Sequence, residues 1–227
     1  MNNRIVSLIV GCCCSLFAAA QDGLSVAEFD TRLNGQGIQL LDVRSAAEYR
    51  NGHLKTALQA DWLNKEQFSE RISYLEKTKP VLVYCASGMR SGQAAKWMLE
   101  NGFTDVQNLK GGITAWKMAN KPVDAATPVT QLSIPRYLQS VSTGTVLVDV
   151  GAEWCPPCRK MEPVLSQLQA ELKGSYKLVK VDGGNDVDVM KSLNVETLPV
   201  FIIYKDGKET WRKQGVIELA ELKSQLQ

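Results

Sequence analysis

The chain has 227 residues, and its 26 lysines and arginines nearly balance 24 aspartates and glutamates, for a formal charge of +2. No basic stripe with interleaved aromatics occurs, so nothing in the composition points to nucleic acid. His53 is the single histidine, and of the six cysteines three are the adjacent Cys12, Cys13 and Cys14. Too few ligands remain for a structural zinc site, and no metal is implied.

Met1 to Ala20 reads as a targeting segment. Arg4 supplies a positive start, Ile5 to Phe17 is apolar, and Ala18-Ala19-Ala20 fits a small-residue cleavage site before Gln21. The apolar run is short for a membrane span. A competing reading takes Ile9-Val10-Gly11-Cys12 as resembling a bacterial lipobox, which would anchor a lipoprotein at Cys12. Cleavage after Ala20 is favoured, because the second reading leaves an apolar core of only about six residues. Either way the mature protein is expected to be periplasmic or secreted, and the released form keeps only Cys85, Cys155 and Cys158.

Beyond the leader, strand and helix patterns alternate twice, which predicts two α/β domains. In the first, Pro80-Val81-Leu82-Val83-Tyr84 reads as a buried strand that delivers Cys85-Ala86-Ser87-Gly88-Met89-Arg90-Ser91. A helical pattern through Ala94, Ala95, Trp97, Met98 and Leu99 follows, ending at Asn101-Gly102. A cysteine between a strand end and a helix start lies in a nest of amide donors suited to anionic sulfur. Gly88 and the serines let a ligand approach the backbone, and Arg90 adds a fixed positive charge. A buried structural cysteine beside an ordinary loop would give no reason for so many small residues. The lysines and acids between Lys65 and Lys79 read as a solvated helix face.

Around this loop stand Leu41-Asp42-Val43-Arg44, Glu48-Tyr49, Gly52-His53-Leu54 and Leu109-Lys110-Gly111-Gly112-Ile113-Thr114-Ala115-Trp116. With these segments in this order, the chain from about Leu24 to Val123 resembles the rhodanese family. The resemblance implies a parallel-sheet α/β/α domain in which Cys85 carries a persulfide, cradled by Ala86, Ser87, Gly88, Met89 and Arg90. It makes Asp42, Arg44, His53 and Trp116 framework positions. Lys55-Thr56 departs from the proline-glycine pair that often follows the Gly-His triplet in that family. Cys85 to Arg90 is C-x4-R, one residue shorter than the loop of the related phosphatases and arsenate reductases. Tyr84 stands where phosphatases usually carry histidine, so sulfur transfer is the implied chemistry.

Asn120 to Pro128 has no amphipathic period, and three prolines, Pro122, Pro128 and Pro135, fall in the span from Ala119 to Pro135. This reads as a linker, with a short helix from Pro135 to Ser140 opening the second domain. The expected boundaries are 21–123 for the first domain, 124–134 for the linker and 135–227 for the second.

The second domain opens with the β-branched run Thr145-Val146-Leu147-Val148-Asp149-Val150, then Trp154-Cys155-Pro156-Pro157-Cys158. A C-x-x-C pair that starts a helix after a buried strand favours a thiolate, through amide donors and the positive end of the helix dipole. The second cysteine then resolves a mixed disulfide. A purely structural bridge would gain little from so short a loop already stiffened by two prolines. Asp149, on the strand, is a carboxylate costly to bury unless it moves a proton. Downstream, Glu196-Thr197-Leu198-Pro199-Val200-Phe201-Ile202-Ile203-Tyr204 is a strand led by proline.

From about Val129 to Gln227 the chain resembles the thioredoxin family. The resemblance implies a thioredoxin fold, a cis-proline at Pro199 that shapes a substrate groove beside Trp154, and a buried acid at Asp149 with Lys180 near it. It also places Gly215 at a family glycine near the last strand. Pro156-Pro157 departs from the Gly-Pro common in thioredoxins and looks more like periplasmic thioredoxin-like reductases. Reductase is the favoured direction, with oxidant open.

Three readings follow. In the first, Cys85 takes sulfur as a persulfide and the Cys155/Cys158 dithiol releases it as sulfide. In the second, the dithiol is a general disulfide reductase and the first domain only binds or senses redox state. In the third, the three thiols handle metal without turnover. The first two imply protein disulfide substrates and a membrane or periplasmic electron donor, and the first adds a small sulfur donor such as thiosulfate or polysulfide. No cofactor is implied.

Overall fold

The structure is a computed structural model that describes residues 23–124 and 130–227. The residues read from sequence as a targeting segment, Cys12 among them, and part of the expected linker lie outside the described residues. Among those described, no helix is long and apolar enough to cross a membrane.

The first unit contains α1 (Val26–Leu33), β1 (Gln39–Asp42), α2 (Ala46–Arg50), β2 (Leu58–Gln59), α3 (Lys65–Ile72), β3 (Val81–Tyr84), α4 (Met89–Glu100), β4 (Val106–Asn108) and α5 (Gly112–Met118). Its four strands run parallel in the order β2-β1-β3-β4. All four residues of β3 are buried, as expected for a central strand covered on both faces by helices. Two helices begin with capping boxes, Ser25 with Glu28 and Ser45 with Glu48, each cap contributing about 1 kcal/mol. The turn at Lys55-Thr56 closes with Thr56 at φ 66°. One core packs Leu41, Val43, Val81 and Val83 against Phe68, Ile72, Ala94 and Met98.

The second unit contains α6 (Ile134–Ser140), β5 (Thr145–Gly151), α7 (Pro156–Glu171), β6 (Lys177–Asp182), α8 (Val187–Ser192), β7 (Val200–Lys205), β8 (Lys208–Gln214) and α9 (Leu219–Leu226). Its sheet order is β6-β5-β7-β8, with β6 parallel to β5 and the remaining pairs antiparallel. A core of Leu147, Phe201 and Ile203 packs against Met161, Leu165 and Leu222. The Pro135–Ser140 helix expected from sequence begins one residue earlier and buries Tyr137, whose hydroxyl meets that of Tyr204 at 3.2 Å.

A further apolar cluster crosses from one unit to the other. It joins Tyr49, Leu54 and Ala57 of the first to Trp154, Cys155 and Leu198 of the second.

Candidate active site

The dithiol forms where β5 runs out. Gly151 ends the strand, the Cys155 amide bonds back to the Ala152 carbonyl at 3.1 Å, and α7 begins at Pro156. Proline suits that first helical position because its missing N–H would have had no partner. Cys155 is the N-cap, and its sulfur accepts the Cys158 amide at 3.3 Å while bonded to Cys158 as a disulfide. The same amide and the dipole of a 16-residue helix favour negative charge on that sulfur once the bond opens.

β7 pairs with β5 in a register that sets Val200 opposite Val150, which brings Pro199 to the end of β5. The Leu198–Pro199 bond is cis, and the Pro199 carbonyl accepts the Gly215 amide at 2.9 Å. On the other side of β5, Asp149 sits opposite Lys180. Burial pushes the Asp149 carboxyl up to about 6, with Lys180 pulling it down and Glu162 pushing it up. A side chain added at Gly151 would meet the Asp149 Oδ1 at 3.2 Å and the Cys158 Sγ at 3.6 Å. Glycine there leaves no side chain between the carboxyl and the sulfur.

The second sulfur centre lies at the end of β3. Cys85 is buried, and its Sγ accepts the Gly88 amide at 3.2 Å. Burial pushes the thiol up, but hydrogen bonds from the Ser91 hydroxyl and the amides of Ser91, Ser87 and Gly88 outweigh it, and the net shift is downward. The Ser91 hydroxyl is buried and otherwise unpaired. The loop carbonyls are held from behind by α5, where Ile113 N–H donates to Cys85 O at 2.8 Å and Thr114 N–H to Ala86 O at 3.1 Å. Ser87 and Met89 face solvent, Met89 with 75% of its surface exposed.

Arg90 departs from expectation. Its guanidinium forks onto Glu48 at 2.6 and 2.9 Å rather than standing free above the sulfur. The Arg90 hydrogen bonds hold the Glu48 carboxyl down at about 2. Arg90 still feels the Cys85 thiolate, but Glu48 is its first partner. The framework positions make structural bonds: Arg44 pairs with Asp42 at 2.5 Å, His53 stacks on Tyr49, and Trp116 donates to Pro122 O at 2.8 Å.

The charged stretch from Lys65 to Lys79 is not wholly solvated. Arg71 is 3% exposed because its face of α3 turns toward the second unit. Its guanidinium donates to the Gln59 carbonyl and Oε1 and lies 5.1 Å from the centre of the Trp154 ring. Gln59 N–H donates to the Trp154 carbonyl at 2.8 Å, and the Tyr49 ring lies 5.8 Å from Trp154. Gln59, Arg71 and Gly151 were not singled out from sequence, and Tyr49 appeared there only within the Glu48-Tyr49 segment, with no contact to the second domain expected of it. Only Gly151, a small residue just ahead of the C-x-x-C pair, carried a local signal.

The two sulfur centres share one end of the first sheet without touching. Gln59 and Tyr84 flank Asp42 in register, and Trp154 bonds to the outer side of β2. Three strand spacings then separate Trp154 from β3, roughly 15 Å.

Comparison with known proteins divides the chain in the same way. The family model described as a Rhodanese-like domain matches residues 25–119, and the Thioredoxin model matches residues 128–227. A thiosulfate sulfurtransferase GlpE of Shewanella oneidensis is 34% identical over 97 residues, covering 43% of this chain and 93% of that protein. A thioredoxin of Chlamydia trachomatis is 38% identical over 88 residues, covering 39% of this chain and 85% of that protein. A thioredoxin-like protein of Synechocystis is 35% identical over 82 residues, covering 36% and 78%. Sulfurtransferase-type and redox roles follow for the two halves, and the chain belongs to both families, as a rhodanese-like domain followed by a thioredoxin domain.

Proposed function

We propose that the protein is an extracytoplasmic thiol-disulfide oxidoreductase in which Cys155 and Cys158 carry electrons and Cys85 carries sulfur as a persulfide. The observation that carries the redox half is the Cys155–Cys158 bond at the start of α7 with the raised Asp149 carboxyl across Gly151. A group that titrates near neutrality is suited to take the proton of the resolving thiol and return it. The lowered Cys85 thiol among amide donors supports the sulfur half. The short targeting segment Met1 to Ala20 supports the location.

In this reading the Cys85 thiolate attacks the outer sulfur of thiosulfate, sulfite leaves, and a Cys85 persulfide remains. The Cys155 thiolate then takes the outer sulfur, returning Cys85 as a thiolate. Cys158 attacks the Cys155 sulfur, hydrosulfide leaves, and the disulfide closes. Two thiols are thereby oxidised and one sulfane sulfur is reduced. An external dithiol donor must reopen the bond for the next turn.

The test is intact mass spectrometry of the reduced protein after brief exposure to thiosulfate or a polysulfide, alongside Cys85→Ser and Cys155→Ser/Cys158→Ser variants. The expected result is a sulfur adduct that requires Cys85 and accumulates when the dithiol is absent. Absence of any adduct, with disulfide exchange intact, removes the sulfur half and leaves a reductase with an attached binding domain.

A further inference from the structure

The arrangement of the two domains makes the dithiol accessible from one side only. Cys155 is fully buried, Trp154 is 9% exposed, and Pro156, Pro157 and Pro199 are buried. Cys158 is the half-exposed member of the pair. It opens into a groove of about 430 Å³ whose walls include Tyr49 and His53 from the rhodanese-like domain and Asp149 and Lys180 from the thioredoxin domain.

The cover is made by specific contacts. The outer edge of β2 has no further strand beside it, and the Gln59 N–H that would be left unpaired there donates to the Trp154 carbonyl. Arg71 is desolvated on the Trp154 ring with no carboxylate paired to it, and its Nε has no hydrogen-bond partner among the described residues. A buried cation is costly unless neighbouring groups replace water, and here the Gln59 oxygens and the aromatic face do so. Such a residue serves the contact between domains rather than the stability of α3.

We infer that Gln59 and Arg71 set the specificity of the dithiol: they hold the rhodanese-like domain on the Trp154–Cys155 loop and restrict exchange to small thiol or persulfide compounds entering beside Cys158. This rests on the dithiol being the exchange centre proposed above. A small thiolate attacks the Cys158 sulfur, the S–S bond breaks, and Cys155 leaves as the thiolate that α7 stabilises. The Cys158 amide and the start of α7 face that leaving sulfur, which favours the step. A second small thiolate attacks the outer sulfur of the mixed disulfide, releasing the small disulfide and the Cys158 thiolate. Two small thiols are oxidised and the protein disulfide is reduced. A protein dithiol is too bulky for the groove and reacts only when the domains part.

The test compares reduction of the oxidised full chain by glutathione and by a reduced single-domain thioredoxin, for the wild type, Arg71→Ala and Arg71→Met. Glutathione is expected to react with all three at similar rates. The thioredoxin probe is expected to react slowly with the wild type and about tenfold faster with Arg71→Ala, the gain that loss of a desolvated cation–aromatic contact gives to the open form. Wild type that reacts equally well with both probes overturns the inference, as does a native-melting Arg71→Ala with an unchanged thioredoxin rate. If Arg71→Ala fails to fold, Arg71→Met, which keeps the stem packed on Trp154, is read by the same criteria. Labelling of the Cys155–Cys158 peptide in the reduced wild type gives an independent reading. A small maleimide is expected to modify it and a maleimide on a long polyethylene glycol chain to be excluded, and equal labelling by both overturns the inference. A wild-type disulfide that neither thiol reduces overturns the exchange reading itself, and this inference with it.

Discussion

Asp149 ties the chemistry of the dithiol to the stability of its domain. Its folded-state value of about 6 stands above the ordinary 3.8, so the folded protein holds that proton more tightly than the unfolded chain does. The resulting stabilisation is fully present below about pH 3.8 and is lost as the pH rises through about 6. Asp149→Asn is therefore expected to stabilise the oxidised protein by on the order of 2 kcal/mol at about pH 8 and by little at about pH 4. Denaturant titrations at the two pH values check this. The same variant should slow disulfide exchange by on the order of a hundredfold near neutrality. This carboxyl was legible in the sequence, because an acid in a β-branched run has few structural reasons to exist. Arg71 was not, because a buried arginine in a charged helix reads like its exposed helix-mates Lys65 and Glu66 until the surface that covers it is known. Arg90 was read as charge for the sulfur, while the fork with Glu48 depends on a contact 42 positions away.

The Cys85 loop is held by its neighbours more than by its own bonds. Gly111 and Gly112 at the start of α5 have φ of 75° and 58°, and any Cβ at Gly112 would strike the carbonyls of Cys85 and Ala86. Gly112→Ala combines backbone strain with that collision, so a loss of about 2 kcal/mol is expected, together with loss of the lowered Cys85 thiol. Thermal unfolding and the pH dependence of Cys85 alkylation check the two parts. The strand, loop and helix around Cys85, and the strand, turn and helix around Cys155, were readable because hydrophobic period and turn residues act locally. The two-residue β2 was not, since so short a strand has no period to read and is defined by its pairing with β1.

Two domains with their own cores also share an apolar cluster. Burial of Trp154 between them is worth several times the thermal energy, so the oxidised protein is expected to unfold in a single calorimetric transition. Arg71→Ala should resolve it into two. A wild type that melts in two steps would mean the interface adds nothing to cohesion. The two families and their order were evident in the sequence, whereas the contact between the domains was not, because no local pattern marks a surface whose partner lies about a hundred residues further along. That contact also bears on sulfur transfer. With Trp154 three strand spacings from β3, roughly 15 Å, the proposed transfer requires Cys155 to leave its cover before it reaches Cys85.

The way the chain is pinned on either side of the linker limits how far that excursion can go. Asp124 is paired through its backbone with His53, and Lys121 is bonded to Asp30 at 2.6 Å, so the tether leaves from a fixed point. Its other end is fixed where the Leu132 N–H meets Asp186 at 2.8 Å. Asp124 and Leu132 are eight peptide units apart, a leash of at most about 28 Å. A released thioredoxin domain therefore stays in the neighbourhood of Cys85 at an effective concentration in the millimolar range. In the proposed relay, delivery of sulfur from one centre to the other would be a first-order event, independent of dilution, and a persulfide on Cys85 would meet its own dithiol before that of another molecule.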